Sequence, residues 1–267
     1  MSAMPRIHPT TIIEGDVELA DSVEVGPWCC LKGPIKLGEG TKLLRRVELY
    51  GPLTMGEHNV VYPNVCLGFA PQDHKYDSSV PGAGVVIGHR NVLREGVTIH
   101  RATKDRPTTL GDDNYFMVNT HAGHDCVVGS HCTLANGAVL AGHVTLGDQV
   151  IVGGISGVHQ FCRVGRLAML GGGVGITRDL PPFCVAINDR TVGSLNLVGL
   201  RRNGYRDHVP ALKQAFAILF RQHHTNTVAC DLIEQAAGSD PLCAELVAFV
   251  RASKRGICVF SGMERAE

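Results

Sequence analysis

Leu134-Ala135-Asn136-Gly137-Ala138-Val139-Leu140-Ala141-Gly142-His143-Val144-Thr145-Leu146 decides the fold of this chain. Three leucines stand six residues apart, and each is followed by a small residue. The phase extends outward in both directions. It runs from Leu110 through Phe116, Ala122 and Val128 to Val152, Val158, Val164, Leu170 and Ile176. Upstream it holds Ile87, Leu93 and Ile99, and before those an unbroken series from Ile7 to Leu67. An α-helical stripe repeats about every 3.6 residues and cannot produce this period. A hexad suits one short strand and one turn, with an aliphatic side chain pointing inward. Three such faces close a coil, and coils stack as parallel strands about 4.8 Å apart. The twenty-six hexads therefore predict a parallel β-helix of eight to nine coils.

Two breaks interrupt the phase, at Gln72–Gly84 and around Lys104–Thr109. Breaks in a rigid coil are expelled as loops, and such loops often carry function. The first is densely polar (Gln72-Asp73-His74-Lys75-Tyr76-Asp77); the second, Lys104-Asp105-Arg106-Pro107, reads as a surface excursion. The hexads stop at Asp179-Leu180-Pro181-Pro182. Beyond them Ser194 is expected to cap a helix holding Leu195, Leu197, Val198, Leu200 and Arg201. Further helical patterns follow at Ala211–Phe220, roughly Val228–Ala237 and Leu242–Ser253. The expected organisation is a hexapeptide-repeat β-helix domain over residues 1–190 and a small α-helical C-terminal domain over 191–267, capping the open end of the coil.

Net charge is zero, so a general nucleic-acid binder is not expected. No apolar stretch reaches the ~18 residues of a membrane span, and the first residues lack a secretory pattern. The ten cysteines include an adjacent pair, Cys29-Cys30, but no C-x-x-C spacing. They read as free thiols in a cytoplasmic protein.

The chemistry concentrates in Asn119-Thr120-His121-Ala122-Gly123-His124-Asp125-Cys126. His124 and His143 are 19 apart and His143 and His159 are 16 apart, close to one coil. A histidine ladder on one side of the prism follows, with His121 and His100 beside it. Such a cluster serves either as a metal centre, since three imidazoles can hold zinc, or as a general base with hydrogen-bonding partners. The His124-Asp125 pair favours the base.

Thr120-His121-Ala122-Gly123-His124-Asp125-Cys126, Leu140-Ala141-Gly142-His143-Val144, Val158-His159-Gln160-Phe161, the Gln72–Tyr76 loop and Thr98-Ile99-His100-Arg101 together resemble the UDP-N-acetylglucosamine O-acyltransferases, over nearly the whole chain. The resemblance implies a left-handed β-helix, an exception to the usual right-handed crossover. It also implies a homotrimer with sites between neighbouring prisms, and transfer of a 3-hydroxyacyl chain from acyl carrier protein to the sugar 3-position in lipid A biosynthesis, without cofactor or metal. His124 is then the general base, Asp125 its support, and the Gly142 N–H an oxyanion donor. Asp73, His121 and His143 map onto sugar and acyl contacts, and Gln72, His159 and Gln160 onto the substrate cleft. Lys75 and His100 map onto the diphosphate as cationic donors, and Asn196 and Arg202 onto the nucleotide side. Gly172 maps onto the acyl-length position, where a glycine implies a long chain. Arg163, Arg166 and Arg201 are candidates for a basic patch facing the acidic carrier protein. The chain departs from the family pattern at His74, Ala102 and Asn203, which leaves open whether the attacking group is a 3-hydroxyl or a 3-amine. The alternative is a zinc-dependent hydratase on the same prism.

Overall fold

The computed structural model describes residues 4–260; Met1 to Ala3 and residues 261–267, and so the outermost ends of both expected segments, lie outside the described residues. Twenty-six short strands, from Arg6–Ile7 to Gly175–Ile176, build three parallel faces. Partners across each face are one coil apart in sequence. Tyr115 pairs with Thr133, Ile151 and Met169 in turn on the first face. His121 pairs with Val139, Gly157 and Gly175 on the second, and Val127 with Thr145 and Arg163 on the third. The first face continues past the hexads through Cys184–Asn188, which pairs in parallel with Met169–Leu170. The solenoid therefore makes about ten turns, more than the eight to nine expected, because this strand carries on the stacking outside the hexad phase.

The hexad slots point inward as their period requires. Leu31, Leu49, Leu67, Ile99, Ala122, Leu140, Val158 and Ile176 form a buried column under the second face. Fully burying each large member contributes roughly 1.5–3 kcal/mol. Buried asparagines link successive coils along the axis: the Asn91 N–H donates to Asn59 Oδ1 and the Asn114 N–H to Asn91 Oδ1.

The corners decide where the functional side chains go. Left-handed backbone recurs at 18-residue intervals, at Asp113, His131, Gln149 and Leu167 on one corner and at Asp125, His143 and Phe161 on another. Asp and His tolerate this conformation better than bulky or β-branched residues. Asp125, His143 and Phe161 thus stack along one edge of the prism, linked by the His143 N–H to His124 O and the Phe161 N–H to Gly142 O.

Both phase breaks are loops, between Phe69 and Val85 and between His100 and Thr108. Helices follow at α1 (Leu197–Arg202), α2 (Val209–Arg221), α3 (Asn226–Ala237) and α4 (Pro241–Arg251), beside a 3-10 turn at Arg206–His208. The expected Ser194 cap is not the one used. Ser194 lies in the strand Thr191–Leu195, opposite Val185, and the cap is Asn196, whose side chain accepts from the Gly199 N–H. The segment after the coils is tied to the last of them by Arg166. Arg166 reaches Glu245 of α4 through Nε and Nη2 and donates to the Tyr205 hydroxyl from Nη1. That use withdraws Arg166 from the basic patch expected for a partner. Arg163 likewise lies over the Phe249 ring and beside Asp179, leaving Arg201 exposed among the three. Among the described residues no helix is long and apolar enough to cross a membrane, and none of the ten cysteines is paired.

Candidate active site

A cleft of about 870 Å³ opens on the second face and runs along the prism axis. Its floor follows the outward column His121, Val139, Gly157 and Gly175, in which side chains shrink from imidazole to hydrogen. Gln72, His100, His124, Gly142, His159 and Gln160 line the same cleft. Seven expected site residues, His121 included, are therefore brought together.

The His124–Asp125 pair is the centre of this arrangement. His124 Nδ1 is 2.6 Å from Asp125 Oδ2. Burial alone would raise the Asp125 carboxyl, but hydrogen bonds from Thr103 and His124 outweigh it and hold the group below the usual carboxylate range. An ionised carboxylate only accepts, so Nδ1 carries the proton and donates. Nε2 of His124 is left as the acceptor. The ring lies against the next coil at Gly142: a Cβ placed there would stand 2.6 Å from both Nε2 and Cε1 of His124. Among the described residues, no main-chain carbonyl accepts the Gly142 N–H. The His124 ring and a main-chain N–H with no carbonyl partner among the described residues therefore lie side by side in the cleft lining.

The other histidines divide into two groups. His143 meets the His124 ring edge-on at 5.1 Å and stacks flat on Phe161 at 4.5 Å. Burial lowers its pKa, with Asp125 acting the other way. His100 meets His121 edge-on at 4.9 Å, and His121 Nδ1 is 2.7 Å from Thr98 Oγ1. Burial lowers the pKa of His121 and brings that of His100 down to about 4. His100 is therefore neutral near pH 7, not the cationic donor expected. Its Nδ1 is buried with no hydrogen-bond partner among the described residues, ready for a neutral hydrogen bond.

Three expectations fall elsewhere. Asp73 and Lys75 sit exposed in the first loop, where Asp73 Oδ1 accepts the Lys75 N–H in a local turn. Gly172 lies on the opposite corner, outside the cleft lining, and a Cβ there would meet only the Gly154 carbonyl at 3.6 Å. Asn196 and Arg202 line a second hollow of about 790 Å³ on the first face. Both ends of the Asn196 amide are engaged, by the Gly199 N–H and the Leu167 carbonyl.

Sequence reading missed several contributors. Thr98 and Thr103 touch the histidine system, and Phe161 supports His143. Arg101 holds the first loop by donating to the carbonyls of Ser78, Val80 and Gly68. Thr98 was findable: it stands directly opposite His121 once the second loop is discounted from the coil arithmetic. Thr103 carried no signal, because its partner lies across a loop.

His124, Asp125 and His143 bring ligand atoms within 4.8 Å of one another, a spacing that could hold a metal ion. Asp125, however, already accepts from the Thr103 N–H and hydroxyl, the Lys104 N–H and His124. Its lone pairs are committed, and the set fits a hydrogen-bond relay better than an ion. The cysteine beside it is no nucleophile either, since burial pushes the Cys126 thiol up to about 12.

Residues 179–258 match the model of the UDP-N-acetylglucosamine O-acyltransferase second domain, and residues 107–142 that of the bacterial transferase hexapeptide repeat. The acyl-[acyl-carrier-protein]–UDP-N-acetylglucosamine O-acyltransferase of Verminephrobacter eiseniae is 40% identical over 253 residues, 93% of this chain and 96% of that one. That of Thermodesulfovibrio yellowstonii is 40% identical over 96% of this chain and all of its own. The solved UDP-N-acetylglucosamine acyltransferase of Campylobacter jejuni superposes with a TM-score of 0.89 at 36% identity, covering 96% of this chain and 100% of that one. The Francisella novicida enzyme does so at 0.90 and 31%, covering 98% and 99%. Relatives 40% identical over nearly the full length of both chains, and solved structures that superpose over the same length, show that this chain belongs to the UDP-N-acetylglucosamine O-acyltransferase family.

Proposed function

We propose that this protein transfers a 3-hydroxyacyl chain from acyl carrier protein to the 3-position of UDP-N-acetylglucosamine, or of its 3-amino analogue, in the lipid A pathway. The observation that carries this reading is the His124 Nδ1–Asp125 contact, which leaves Nε2 as an acceptor beside Gly142. His124 Nε2 takes the proton from the sugar hydroxyl or amine as its oxygen or nitrogen attacks the thioester carbonyl. The Gly142 N–H donates to the resulting oxyanion. The C–S bond then breaks, and the imidazolium returns its proton to the departing sulfur. His121, neutral His100, His159, Gln160 and Gln72 offer hydrogen bonds around the acceptor. The glycine floor at Gly157 and Gly175 leaves room for an aliphatic chain.

The same reading includes a left-handed winding, a homotrimer and a cytoplasmic location. The two hollows lie on different faces of one prism. They can form one site only if the first face of one copy meets the second face of another, which would bring Asn196 and Arg202 to the nucleotide end. Gly172, on the corner, would act on acyl length from such a seam, and Asp73 and Lys75 would close over the acceptor with the first loop. The helical segment, taken as 191–267, would serve as cap and carrier-protein platform. Ten unpaired thiols suit the reducing cytoplasm.

The test is acyl transfer followed by mass on metal-free protein, offering both sugars and a series of 3-hydroxyacyl carrier proteins, with His124→Ala alongside. Product lost in His124→Ala supports the reading. Activity that appears only on adding zinc would sink it in favour of the hydratase.

A further inference from the structure

Thr103 stands at the start of the second loop, outside the cleft lining and 22 residues from Asp125 in sequence. It nevertheless supplies most of what holds the carboxylate. Its main-chain N–H lies 3.1 Å from both Asp125 oxygens, and its hydroxyl is 2.6 Å from Oδ2. The Lys104 N–H adds a donor to Oδ1 at 3.2 Å. The Asp125 N–H in turn donates to Thr108 Oγ1 at the far end of the loop. The loop that reads in sequence as a surface excursion is thus a clasp around one carboxylate. The Asp125 side chain is only 7% exposed, so water does not substitute for these donors.

The two nearest donors to Oδ2 are the Thr103 hydroxyl and His124 Nδ1, both 2.6 Å away, with the Thr103 N–H at 3.1 Å and His143 Nε2 at 3.6 Å. A hydroxyl pointing at a shared oxygen withdraws electron density from the bond to the imidazole. We propose that Thr103 is a positioning residue for the acyl transfer: it aims Asp125 at His124 and, by sharing Oδ2, keeps His124 from being too readily protonated to act as a base. This rests on the reading of His124 as general base. The low-lying Asp125 carboxyl is consistent with it, Thr103 being the first of the hydrogen-bonding causes.

Thr103→Val keeps the branched shape and the main-chain N–H and removes only the hydroxyl. The groups that face His124, namely Asp125, His143, His121 and His100, stay in place, as do Lys104 and Asp73, which act on His143. The acid limb of kcat/KM against pH is expected to move up by about 0.5–1 pH unit. Activity at pH 6 then falls several-fold while KM for both substrates holds, and Thr103→Ser restores the wild-type limb. Should Thr103→Val fail to fold, Thr103→Ala removes the same hydroxyl and must move the limb in the same direction. An unmoved or lowered limb in a folded variant overturns the role of Thr103. If His124→Ala retains acyl transfer, the base reading itself fails; if it is inactive while the Thr103 variants keep the wild-type limb, only the present inference does.

Discussion

Gly142→Ala is the sharpest test of the cleft, because the structure separates its effect on chemistry from its effect on the fold. Gly142 is not among the residues with left-handed backbone, so alanine meets no conformational penalty there. The new methyl would lie 2.6 Å from Nε2 and Cε1 of His124 and 3.2 Å from Cδ2. Ordinary carbon contacts are about 3.5–4.0 Å, so the ring must retreat by roughly 1 Å, against its 2.6 Å tether to Asp125. A displacement of that size at a reacting atom costs on the order of 10²-fold in rate, or about 2.7 kcal/mol in the barrier. The main-chain N–H survives the substitution, so loss of the oxyanion donor is not the cause. Steady-state acyl transfer should show kcat down about 100-fold, with the melting temperature within a degree or two of wild type. Activity within threefold of wild type in a folded Gly142→Ala protein would refute the placement of His124 against Gly142 as the reacting geometry.

Two further outcomes follow from other residues. His100 has its pKa lowered from 6.5 to about 4 by burial, so between these values the unfolded chain binds a proton that the folded chain does not. Stability from this group is therefore full above pH 6.5 and declines as pH falls toward about 4; thermal melts of His100→Gln should lose that part of the pH dependence, and an unchanged slope would count against a buried neutral His100. Arg101→Lys removes the fork that holds the Ser78, Val80 and Gly68 carbonyls. The expected result is faster proteolysis within residues 72–84 and a KM for the sugar raised several-fold, with KM for the acyl donor steady; equal change in both would mean that the loop does not act on the acceptor alone.

Sequence alone determined the solenoid. The six-residue period is one-dimensional, since each inward side chain meets only the coil above and the coil below, and Leu134, Leu140 and Leu146 report their environment without any long-range information. The same arithmetic brought His124, His143 and His159 to one side and separated the helical tail, since a 3.6-residue stripe cannot be mistaken for a hexad. Tertiary structure decided what depends on direction and on loops. The Asn196 cap displaced Ser194 because the hairpin paired Ser194 first. Arg166 became a strut to α4, a contact 79 residues away that no local pattern announces. His100 became neutral because the surrounding side chains shut out water, a property of packing rather than of residue type. Thr103 joined the site only because an expelled loop folds back on Asp125. Periodicity encodes which residues share a face; the electrostatics of a site depend on what crosses between faces, and only the closed coil brings those groups together.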